Sequence, residues 1–517
     1  MSKLNSLFTR IPVQLISAEP LPAVEITGIA FDSREVKPGY VFIPLVGQAV
    51  DGHRFIADAV KRGAAAVVGS KPLVEDIGVP YVQVADTRVA LAYISAAFYG
   101  FPAHQMTMIG VTGTDGKTTT ISLIYQIMLK ARLRAGMIST VNAVIGDQKI
   151  DTGFHVTTPE APDVQRYLSQ MVAAGLTHVA LEATSHGLAQ ERVTGCEFDI
   201  GVVTNITHEH LDYHGSYQNY LAAKARLLTG LKDTPEKPGG NIRLAVLNRD
   251  DQSFEALDAL VNVRKATYSL QQPADVTAEN IRYLPTGTEF TARIQNERIP
   301  IKTNLVGAFN LSNTLAAIAA TTIGLGVPPE AVQEGLLALK GIPGRMEVID
   351  YGQNFTAIID FAHTPNALKR ALETVRSFSS GRILAVFGSA GLRDREKRRL
   401  MAEVSVKLAD VTILTAEDPR TESLDDILAE MAAAGIKAGG VEGKSLFRVP
   451  DRGEAIRTAL KMAQPGDVVI SCGKGHEQSM CFGDIEYDWD DRTALRAALS
   501  EYMGVSGPKM PYLPTQG

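Results

Sequence analysis

Cysteine is scarce in this chain of 517 residues. The three cysteines, Cys196, Cys472 and Cys481, are odd in number and include no C-x-x-C pair. This usage argues against a disulfide framework and against a cysteine-based zinc site. It fits a protein that works in a reducing compartment.

Long hydrophobic runs are also missing. No stretch approaches the roughly 18 consecutive apolar residues that indicate a membrane-spanning helix. The first 17 residues lack the continuous apolar segment of a secretory signal peptide. We therefore expect a soluble, cytoplasmic protein without a membrane span, and we expect a monomer.

Positive charge is not in excess. The chain has 51 Lys and Arg against 57 Asp and Glu, a net charge of −6. It offers no basic field that could hold a polynucleotide non-specifically, so nucleic acid is not expected as a partner. The length and the 45% hydrophobic content are sufficient for several domains, each with its own core.

The most informative segment that is present spans residues 106–129, MTMIGVTGTDGKTTTISLIYQIML. An apolar run at 106–111, a small-residue turn at 112–116 and a helical pattern from Lys117 onward follow one another, as in a phosphate-binding loop. Lys117 would contact the β- and γ-phosphates of a nucleotide, and the Thr118 hydroxyl would bind Mg²⁺. The strict pattern G-x-x-x-x-G-K-[ST] fails, since its first glycine position is Val111. The predicted ATP contacts of this segment are Thr112, Gly113, Thr114, Asp115, Gly116, Lys117, Thr118 and Thr119.

Alternating strand and helix patterns, with strands predicted among other places at 23–31, 243–248 and 356–360, predict an α/β protein of three domains. Residues 1–104 read as a small α/β domain, and residues 105–343 as a P-loop ATPase-like domain with a mostly parallel sheet. A loop is predicted at 232–241 and a small antiparallel insert at 275–305. Residues 344–517 repeat the rhythm of a Rossmann-like domain, without a G-x-G-x-x-G fingerprint.

Two strand ends of the central domain carry polar side chains. Glu182 ends one predicted strand, and its carboxylate suits Mg²⁺, although a solvated acid would fit the sequence equally well. After the next strand, three histidines occur within residues 208–214. Their spacing, H-x-H-x-x-x-H, is not that of a zinc motif, and a single histidine assisting Mg²⁺ or phosphate fits better.

Seven motifs in order along the chain resemble those of the Mur ligases, the ATP-dependent enzymes that build the peptidoglycan stem peptide. They occupy residues 110–119, 157–159, 182–188, 210–215, 307–313, 344–347 and 360–365. The pattern is most similar to the members that add the third residue. This resemblance covers nearly the whole chain and implies an EC 6.3.2-type ligase of cell wall biogenesis. It would join a free diamino acid to UDP-N-acetylmuramoyl-L-alanyl-D-glutamate through an acyl phosphate.

The resemblance also implies roles for individual residues. Ser33, within Phe31-Asp-Ser-Arg34, matches the uridine-nucleotide contact of the N-terminal domain. His210 matches a residue that assists the metal. The positions that match the muramoyl-dipeptide site are Thr157, Thr158, Thr184, Gln190 and Arg192. Those that match the ATP site outside the loop are Asn313, Arg345, Asp360 and His363.

Lys224 lies on a predicted amphipathic helix, where a lysine normally faces solvent. The resemblance implies a different role, because the family's lysine at this position reacts with CO₂. The resulting carbamate is an anion that can support a second Mg²⁺. Lys117, Glu182, His210 and Lys224 are thus the implied catalytic residues, and Thr118, Glu182, His210 and Lys224 the implied metal-binding set.

The implied amino-acid pocket of the C-terminal domain consists of Arg393, Glu417, Asp418, Arg420, Gly473 and Glu477. Family members that use meso-diaminopimelate typically carry Asp-Asn-Pro-Arg, whereas this chain has Glu417-Asp-Pro-Arg420. An acid in place of the amide adds negative charge, which should favour a distal ammonium group. We therefore expect lysine or ornithine as the added residue, with meso-diaminopimelate as the alternative because Arg420 could pair with a distal carboxylate.

Two other functions compete with this one, that of a relative such as a folylpolyglutamate synthetase or another peptide-stem ligase, and that of a protein without turnover. A folylpolyglutamate synthetase would share the central and C-terminal domains, but it would not need the N-terminal domain with its Ser33 segment. An ATP-binding scaffold without turnover would not need Lys117, Glu182, His210 and Lys224 together. Both are disfavoured.

Overall fold

The computed structural model describes residues 2–9, 11–16, 21–47, 50–73, 75–140, 142–151, 158–207, 211–284 and 286–515. The chain forms two compact units. The first contains Met1–Thr277 and Leu315–Gly335, and the second contains Ala278–Thr314 and Leu336–Gly517.

The first unit begins with a small α/β region. Four parallel strands form one sheet in the order β3-β4-β5-β6, and β1 pairs with β2 in a separate two-stranded sheet. Leu4, Val41, Val68, Val82 and Ile94 are among its buried core residues. The elements are β1 (Ser2–Lys3), β2 (Glu25–Ile26), β3 (Gly28–Ala30), β4 (Tyr40–Phe42), α1 (Ile56–Lys61), β5 (Ala66–Gly69), β6 (Tyr81–Gln83) and α2 (Thr87–Phe98), with 3₁₀ helices at Leu4–Phe8, Ser33–Glu35, Gly52–Phe55 and Pro102–Gln105.

The larger part of the first unit is built around a parallel sheet. Its elements are β7 (Thr107–Thr112), α3 (Lys117–Lys130), β8 (Ala135–Ile138), β9 (Asn142–Ile145), β10 (Gln148–Asp151), α4 (Ala161–Ala173), β11 (His178–Glu182), α5 (Ser185–Ala189), β12 (Ile200–Val203), α6 (Leu211–His214), α7 (Tyr217–Thr229), β13 (Leu244–Asn248), α8 (Phe254–Leu260) and β14 (Arg264–Ser269), with a 3₁₀ helix at Gly230–Asp233. The strand order is β10-β9-β8-β11-β7-β12-β13-β14. Six neighbouring strands of this sheet run parallel, namely β8, β11, β7, β12, β13 and β14. Their carboxyl ends therefore share one edge.

The phosphate-loop strand β7 lies between β11 and β12 in this sheet. Met108, Ile109 and Val111 are fully buried, because a parallel strand flanked on both sides is covered by helices on both faces. The neighbouring side chains leave no room for a Cβ at Gly110. A Cβ there would lie 2.5 Å from Leu227 Cδ1 and 2.9 Å from the Phe198 ring.

Three strands and two helices follow. The points at which the chain passes from one unit to the other fall within this part of the sequence. They are β15 (Val276–Leu284), β16 (Gly287–Ile294), β17 (Glu297–Thr303), α9 (Ala308–Ile318) and α10 (Pro329–Ala338), with a π-helical segment at Ala319–Gly324. The pairing of β16 with β17 is antiparallel. This confirms the antiparallel insert expected from the sequence.

The second unit contains a six-stranded sheet in the order β18-β19-β23-β20-β21-β22. All pairs are parallel except β18 with β19. The only tryptophan of the chain, Trp489, is buried in its core and donates from Nε1 to Asp491 at 2.8 Å. The elements are β18 (Glu347–Ile349), β19 (Thr356–Asp360), α11 (Pro365–Phe378), β20 (Ile383–Phe387), α12 (Arg395–Leu408), β21 (Val411–Leu414), α13 (Leu424–Lys437), β22 (Leu446–Arg448), α14 (Arg452–Met462), β23 (Val468–Cys472), β24 (Ser479–Phe482), β25 (Ile485–Asp488) and α15 (Asp491–Met503).

The α/β class with a parallel central sheet is confirmed. The predicted strands at 106–111 and 243–248 are observed at Thr107–Thr112 and Leu244–Asn248, and the strand at 356–360 is found with the same bounds. The run predicted at 23–31 is instead two short strands, β2 and β3. Among the described residues, no helix combines the length and apolar character needed to cross a bilayer.

Candidate active site

The loop after β7 has the backbone of a phosphate-binding turn. Gly113 and Gly116 have φ angles of +152° and +82°, which other residues rarely adopt. A Cβ on Gly113 would lie only 1.8 Å from Thr204 Oγ1. Helix α3 begins at Lys117, immediately after Gly116. The loop therefore places the positive end of a helix dipole, with Thr118 and Thr119 in its first turn, where an anion would bind.

Neighbouring backbone holds this loop in place. Thr114 N donates to Asn205 O at 2.7 Å, and Asp115 N donates to Asn205 Oδ1 at 3.0 Å. Thr204 Oγ1 donates to Asp115 O at 2.6 Å. The end of β12 thus supports the loop from one side, which sequence reasoning did not anticipate.

Lys117 folds across the loop that precedes it. Its Nζ donates to Gly113 O at 3.1 Å and to Thr114 O at 2.8 Å. The ammonium group is therefore held over the turn by two carbonyl oxygens. From that position a phosphate oxygen can replace either acceptor.

Glu182 reaches the same helix terminus from the end of β11. Its Oε2 accepts from Thr118 Oγ1 at 2.9 Å and from Thr140 Oγ1 at 2.8 Å. Glu182 is 2% exposed, which rules out the solvated acid that the sequence left open. Thr140 was missed in the sequence, because no motif marks it.

Lys224 is buried rather than solvent-exposed, with 1% of its surface accessible. Its Nζ donates to Gly113 O at 2.5 Å and lies 4.6 Å from the centre of the Tyr220 ring. A signal for this burial was present, since Lys224 lies four residues after Tyr220 and four before Leu228, both of which are buried. The structure thus brings Lys117 and Lys224 to the same carbonyl oxygen. His210 lies outside the described residues.

Within the described ranges, no group of three or more His, Cys, Asp or Glu side chains is arranged to hold a metal ion. His208 and His210, two of the three histidines at 208–214, lie outside those ranges. The Thr118 hydroxyl and the Glu182 carboxylate are hard oxygen donors 2.9 Å apart. They fit Mg²⁺, which is usually held by one or two carboxylates together with substrate phosphates and water.

Four residues predicted to contact the acceptor form one hydrogen-bonded cluster beside Glu182. Thr158 Oγ1 and Thr184 Oγ1 are 2.9 Å apart. Arg192 donates from Nη1 to Thr158 O at 2.7 Å and from Nη2 to Gln190 Oε1 at 2.8 Å. Thr157 lies outside the described residues.

Arg192 also has an acidic partner that the sequence did not suggest. It forms an ion pair with Glu160 Oε1 at 2.7 Å. Burial raises the pKa of the Glu160 carboxyl, although the nearby Arg192 opposes that change. A substrate carboxylate or phosphate at Arg192 would therefore share the guanidinium with Glu160.

Ser33 is buried at the start of a 3₁₀ helix in the N-terminal region. Asp32 caps that helix by accepting from Arg34 N at 2.9 Å. The local conformation of the Phe31–Arg34 segment is thus determined within the segment.

In the second unit, three of the residues predicted to contact the nucleotide lie together. Asp360 accepts from Met346 N at 2.7 Å and from Ala362 N at 2.9 Å. Arg345 stacks over the Phe361 ring at 4.2 Å, and the His363 ring lies 4.5 Å from the same ring. Asn313 is buried in α9.

His476 belongs to this cluster, although sequence reasoning did not single it out. Its ring lies 5.0 Å from the Phe361 ring. Burial, together with the cations Arg345, Arg492 and Lys474, lowers the pKa of His476 to about 3. The ring is therefore neutral at physiological pH.

Two segments of the second unit carry most of the predicted amino-acid pocket, the turn with Arg393 and the loop at 417–420, and we call them the amino-acid loops. A buried lysine pairs with the second of them. Lys474 is 2% exposed and donates to both carboxylate oxygens of Asp418, at 3.0 and 2.9 Å. It also pairs with Glu477 at 2.7 Å. Asp418 accepts a further hydrogen bond from Cys481 N at 2.9 Å.

Glu417 and Gly473 face each other beside this pair. A Cβ on Gly473, whose φ is +111°, would lie 2.1 Å from Glu417 Oε2. Burial raises the pKa of Glu417 to about 7. Arg420 donates to Gly391 O at 3.2 Å. Arg393, two residues after Gly391 in the same turn, is exposed.

Models of known protein families match most of the chain. Residues 25–99 match the model of the Mur ligase family, catalytic domain, residues 111–321 that of the Mur ligase middle domain, and residues 344–475 that of the Mur ligase, glutamate ligase domain. The chain belongs to the Mur ligase family. The predicted resemblance, the three-domain architecture and the assignment as an ATP-dependent peptide ligase of peptidoglycan synthesis are confirmed.

Individual relatives of this Mur ligase match along its length. It is 42% identical to a UDP-N-acetylmuramoyl-L-alanyl-D-glutamate--2,6-diaminopimelate ligase of Geobacillus thermodenitrificans, over 96% of this chain and 99% of the relative. It is 41% identical to a UDP-N-acetylmuramyl-tripeptide synthetase of a Roseiflexus species, over 93% and 96%. A solved diaminopimelate ligase structure aligns with a TM-score of 0.67 at 30% identity, covering 97% of this chain and 100% of that one. A Thermotoga maritima MurF ligase in complex with ADP shares the fold, at 19% identity and a TM-score of 0.60.

The expected preference for lysine or ornithine is wrong. The relatives at 42% and 43% identity are named as 2,6-diaminopimelate ligases. The Asp418 carboxylate, which the sequence presents as an added negative charge, pairs with the buried Lys474. Because the extra charge is neutralised within the protein, it gives no reason to favour a distal ammonium group over a zwitterion.

Proposed function

We propose that this Mur ligase uses ATP to join 2,6-diaminopimelate to UDP-N-acetylmuramoyl-L-alanyl-D-glutamate. The observation that carries the proposal is the 42% identity, over nearly the full length of both chains, to a ligase named for that reaction. The identity is similar, 43%, to a second ligase of the same name.

The charges of the amino-acid loops agree with this substrate. The distal end of diaminopimelate carries both an ammonium and a carboxylate group. Around the loops, Asp418 and Glu477 supply negative charge, while Lys474, Arg420 and the exposed Arg393 supply positive charge. A binding site with both signs suits a zwitterionic end better than a purely cationic one. In this proposal Arg393 and Arg420 bind the distal carboxylate, and Glu417, Gly473 and Glu477 line the rest of the pocket.

The chemistry follows from the weakness of a carboxylate as an electrophile. A carboxylate oxygen of the acceptor attacks the γ-phosphorus of ATP, ADP leaves, and an acyl phosphate forms. The amine of diaminopimelate then attacks the acyl carbon, loses a proton, and displaces orthophosphate. Lys117 and the N–H groups of residues 112–119 hold the phosphates in this scheme, and Arg192 with Thr158 and Thr184 holds the acceptor. Asn313, Arg345, Asp360 and His363 hold the rest of the nucleotide, and Ser33 contacts the uridine end.

Thr118 and Glu182 are the residues proposed to hold Mg²⁺, with His210 assigned by resemblance alone. A bound Mg²⁺ would neutralise phosphate charge during phosphoryl transfer. The pairing of the Thr118 hydroxyl with a buried carboxylate at the start of α3 supports this assignment.

Lys224 is proposed as the site of a carbamate. Only the neutral amine of a lysine can add to CO₂, and the assignment of this reaction to Lys224 comes from the family resemblance. When the amine nitrogen attacks CO₂ and loses a proton, one N–H remains on that nitrogen. The contact to Gly113 O is therefore compatible with the modified side chain. The two new oxygens would be available to a second Mg²⁺.

Replacement of Lys224 tests this role. The Lys224→Ala variant should lose most of its activity, and short carboxylates such as formate or acetate should restore part of it by occupying the space of the carbamate. Lys232→Ala provides a control, since Lys232 is exposed just beyond α7. Unchanged activity in Lys224→Ala would contradict the carbamate role.

One assay tests the overall proposal. Purified protein, ATP, Mg²⁺ and the UDP-linked dipeptide are offered diaminopimelate, lysine and ornithine in parallel, and product masses are measured. We expect the diaminopimelate adduct to dominate. If the acceptor carboxylate carries ¹⁸O, some label should appear in released orthophosphate, and its absence would contradict the acyl phosphate.

The remaining assignments are also proposals. We place the domain limits at 1–104, 105–343 and 344–517, and we propose a monomer that acts in the cytoplasm. Limited proteolysis should cut near residues 104 and 343, and light scattering should give a mass near 55.6 kDa.

A further inference from the structure

Three residues with strained backbone lie in the two amino-acid loops of the second unit. Leu392, Asp418 and Arg420 have φ angles of +56°, +42° and +55°. Residues other than glycine rarely adopt such angles, which persist only where the surrounding structure imposes them. The contacts that impose these angles are therefore of functional interest.

A buried arginine and a glutamate connect the two loops. Arg398, on α12, is 1% exposed at its side chain and forms a two-pronged pair with Glu422, Nη1 with Oε1 at 2.8 Å and Nη2 with Oε2 at 2.5 Å. Glu422 Oε2 also accepts from Leu392 N at 3.0 Å, and Arg398 Nη2 donates to Ala390 O at 3.2 Å. Both contacts hold the backbone of the turn that carries Arg393.

The second loop is attached to the same turn. Gly391 N donates to Asp418 O at 2.9 Å, and Arg420 Nη1 donates to Gly391 O at 3.2 Å. A Cβ on Gly391 would lie 1.9 Å from Pro419 O. The turn bearing Arg393 thus lies directly against the loop bearing Asp418 and Arg420. Glu422, two residues after that loop, joins the two through Arg398.

We propose that Arg398 and Glu422 are positioning residues that set the selectivity for the amino-acid substrate by fixing the Arg393 turn against the Asp418–Arg420 loop. Neither side chain touches the substrate in this proposal. The proposal rests on the proposed function, because Arg393, Asp418 and Arg420 are assigned to the amino-acid pocket there.

The Arg398–Glu422 ion pair, which we call the clamp, keeps its charges. The Arg398 hydrogen bonds lower the pKa of Glu422 to about 2. The pair therefore stays ionised throughout the physiological range. A guanidinium is required for the geometry, because a lysine could not reach both carboxylate oxygens and Ala390 O at once.

The test compares Arg398→Lys, Glu422→Gln and the double variant with a matched pair in the same unit. Arg457 and Glu501 form a similar two-pronged pair at 2.6 and 2.9 Å between α14 and α15. Arg457→Lys and Glu501→Gln therefore remove the same kind of interaction away from the loops. KM is measured separately for the amino acid, ATP and the UDP-linked dipeptide, together with kcat and thermal stability.

We expect the clamp variants to raise KM for diaminopimelate at least about tenfold, since small misplacements of binding groups have large effects. KM for ATP and for the UDP-linked dipeptide should stay within about twofold of wild type, and selectivity over lysine should fall. KM for the amino acid in the double variant should be no higher than in the more affected single variant, because both substitutions remove the same ion pair. Amide hydrogen exchange over residues 391–394 should accelerate in Glu422→Gln and not in Glu501→Gln.

A folded Glu422→Gln protein with unchanged KM for the amino acid would overturn the proposal, as would an equal rise in all three KM values. If Arg398→Lys does not fold, Glu422→Gln and Glu422→Asp decide the matter, since the Glu422 side chain is partly exposed. If wild type uses another diamino acid, the proposed function fails, and the same comparison made with that amino acid still tests the clamp.

Discussion

The phosphate loop of the first unit and the amino-acid loops of the second unit are built in different ways. The phosphate-binding features of the phosphate loop, two glycines with positive φ and the start of α3, lie within residues 112–119, and Thr204 and Asn205 only support them from one side. The amino-acid loops rely on ion pairs between side chains far apart in sequence, such as Asp418 with Lys474 and Arg398 with Glu422. The first kind of site can be identified from a short segment, whereas the charge balance of the second requires the fold.

The largest expected effect is on the phosphate loop. Lys117→Met should lower kcat roughly 10²–10³-fold, the range found when one preorganised donor to a developing charge is removed. Steady-state ATP turnover in the presence of the dipeptide and the amino acid measures it. Lys130→Met, at the exposed end of the same helix, should be close to wild type. Similar losses in both variants would mean that the helix, and not the loop lysine, is responsible.

The next effect concerns the amino-acid loops. Lys474→Met leaves Asp418 and Glu477 without their shared cation, and we expect a loss of about 4 kcal/mol in the free energy of unfolding. KM for the amino acid should rise as well. Adding Asp418→Asn to this variant should recover part of the stability, since it removes the uncompensated charge. Chemical denaturation of the three proteins decides this, and no recovery in the double variant would contradict the charge argument.

The smallest effect is a pH dependence at Glu417. Burial raises the pKa of this carboxyl from its usual 4.5 to about 7. The protonated form therefore stabilises the folded state fully below pH 4.5, and this contribution is lost as the pH rises to about 7. In the Glu417→Gln variant, the free energy of unfolding should change less between pH 4.5 and pH 7. Above pH 7 it should exceed that of wild type by at most about 3 kcal/mol. Thermal unfolding at pH 5 and pH 8 measures it, and parallel profiles for the two proteins would contradict it.

Much of the fold could be predicted from the sequence because apolar runs have a simple physical meaning. The strand at 356–360 and the strand before the phosphate loop each contain an apolar run, 357–359 in the first and 108–111 in the second, and their bounds were predicted to within one residue. The stretch at 23–31 was less clear, since its alternating residues contain no mark of the break between β2 and β3.

The site was predictable where its chemistry is local. Thr118 and Glu182 lie within hydrogen-bonding distance, because neighbouring parallel strands bring their carboxyl ends to one edge, and their roles at the site stay predictions. The neutralisation of Asp418 was not predictable in this way. Its partner Lys474 is 56 residues away, and the sequence presents the acid without its cation.

The single tryptophan gives the two units different optical properties. Trp489 is buried in the core of the second unit, next to Asp491, and the first unit contains none. Fluorescence excited at the red edge of protein absorption therefore reports on unfolding of the second unit alone. Circular dichroism reports on both units at once. The natural chain thus contains a label for following the melting of one half separately, without any engineered dye.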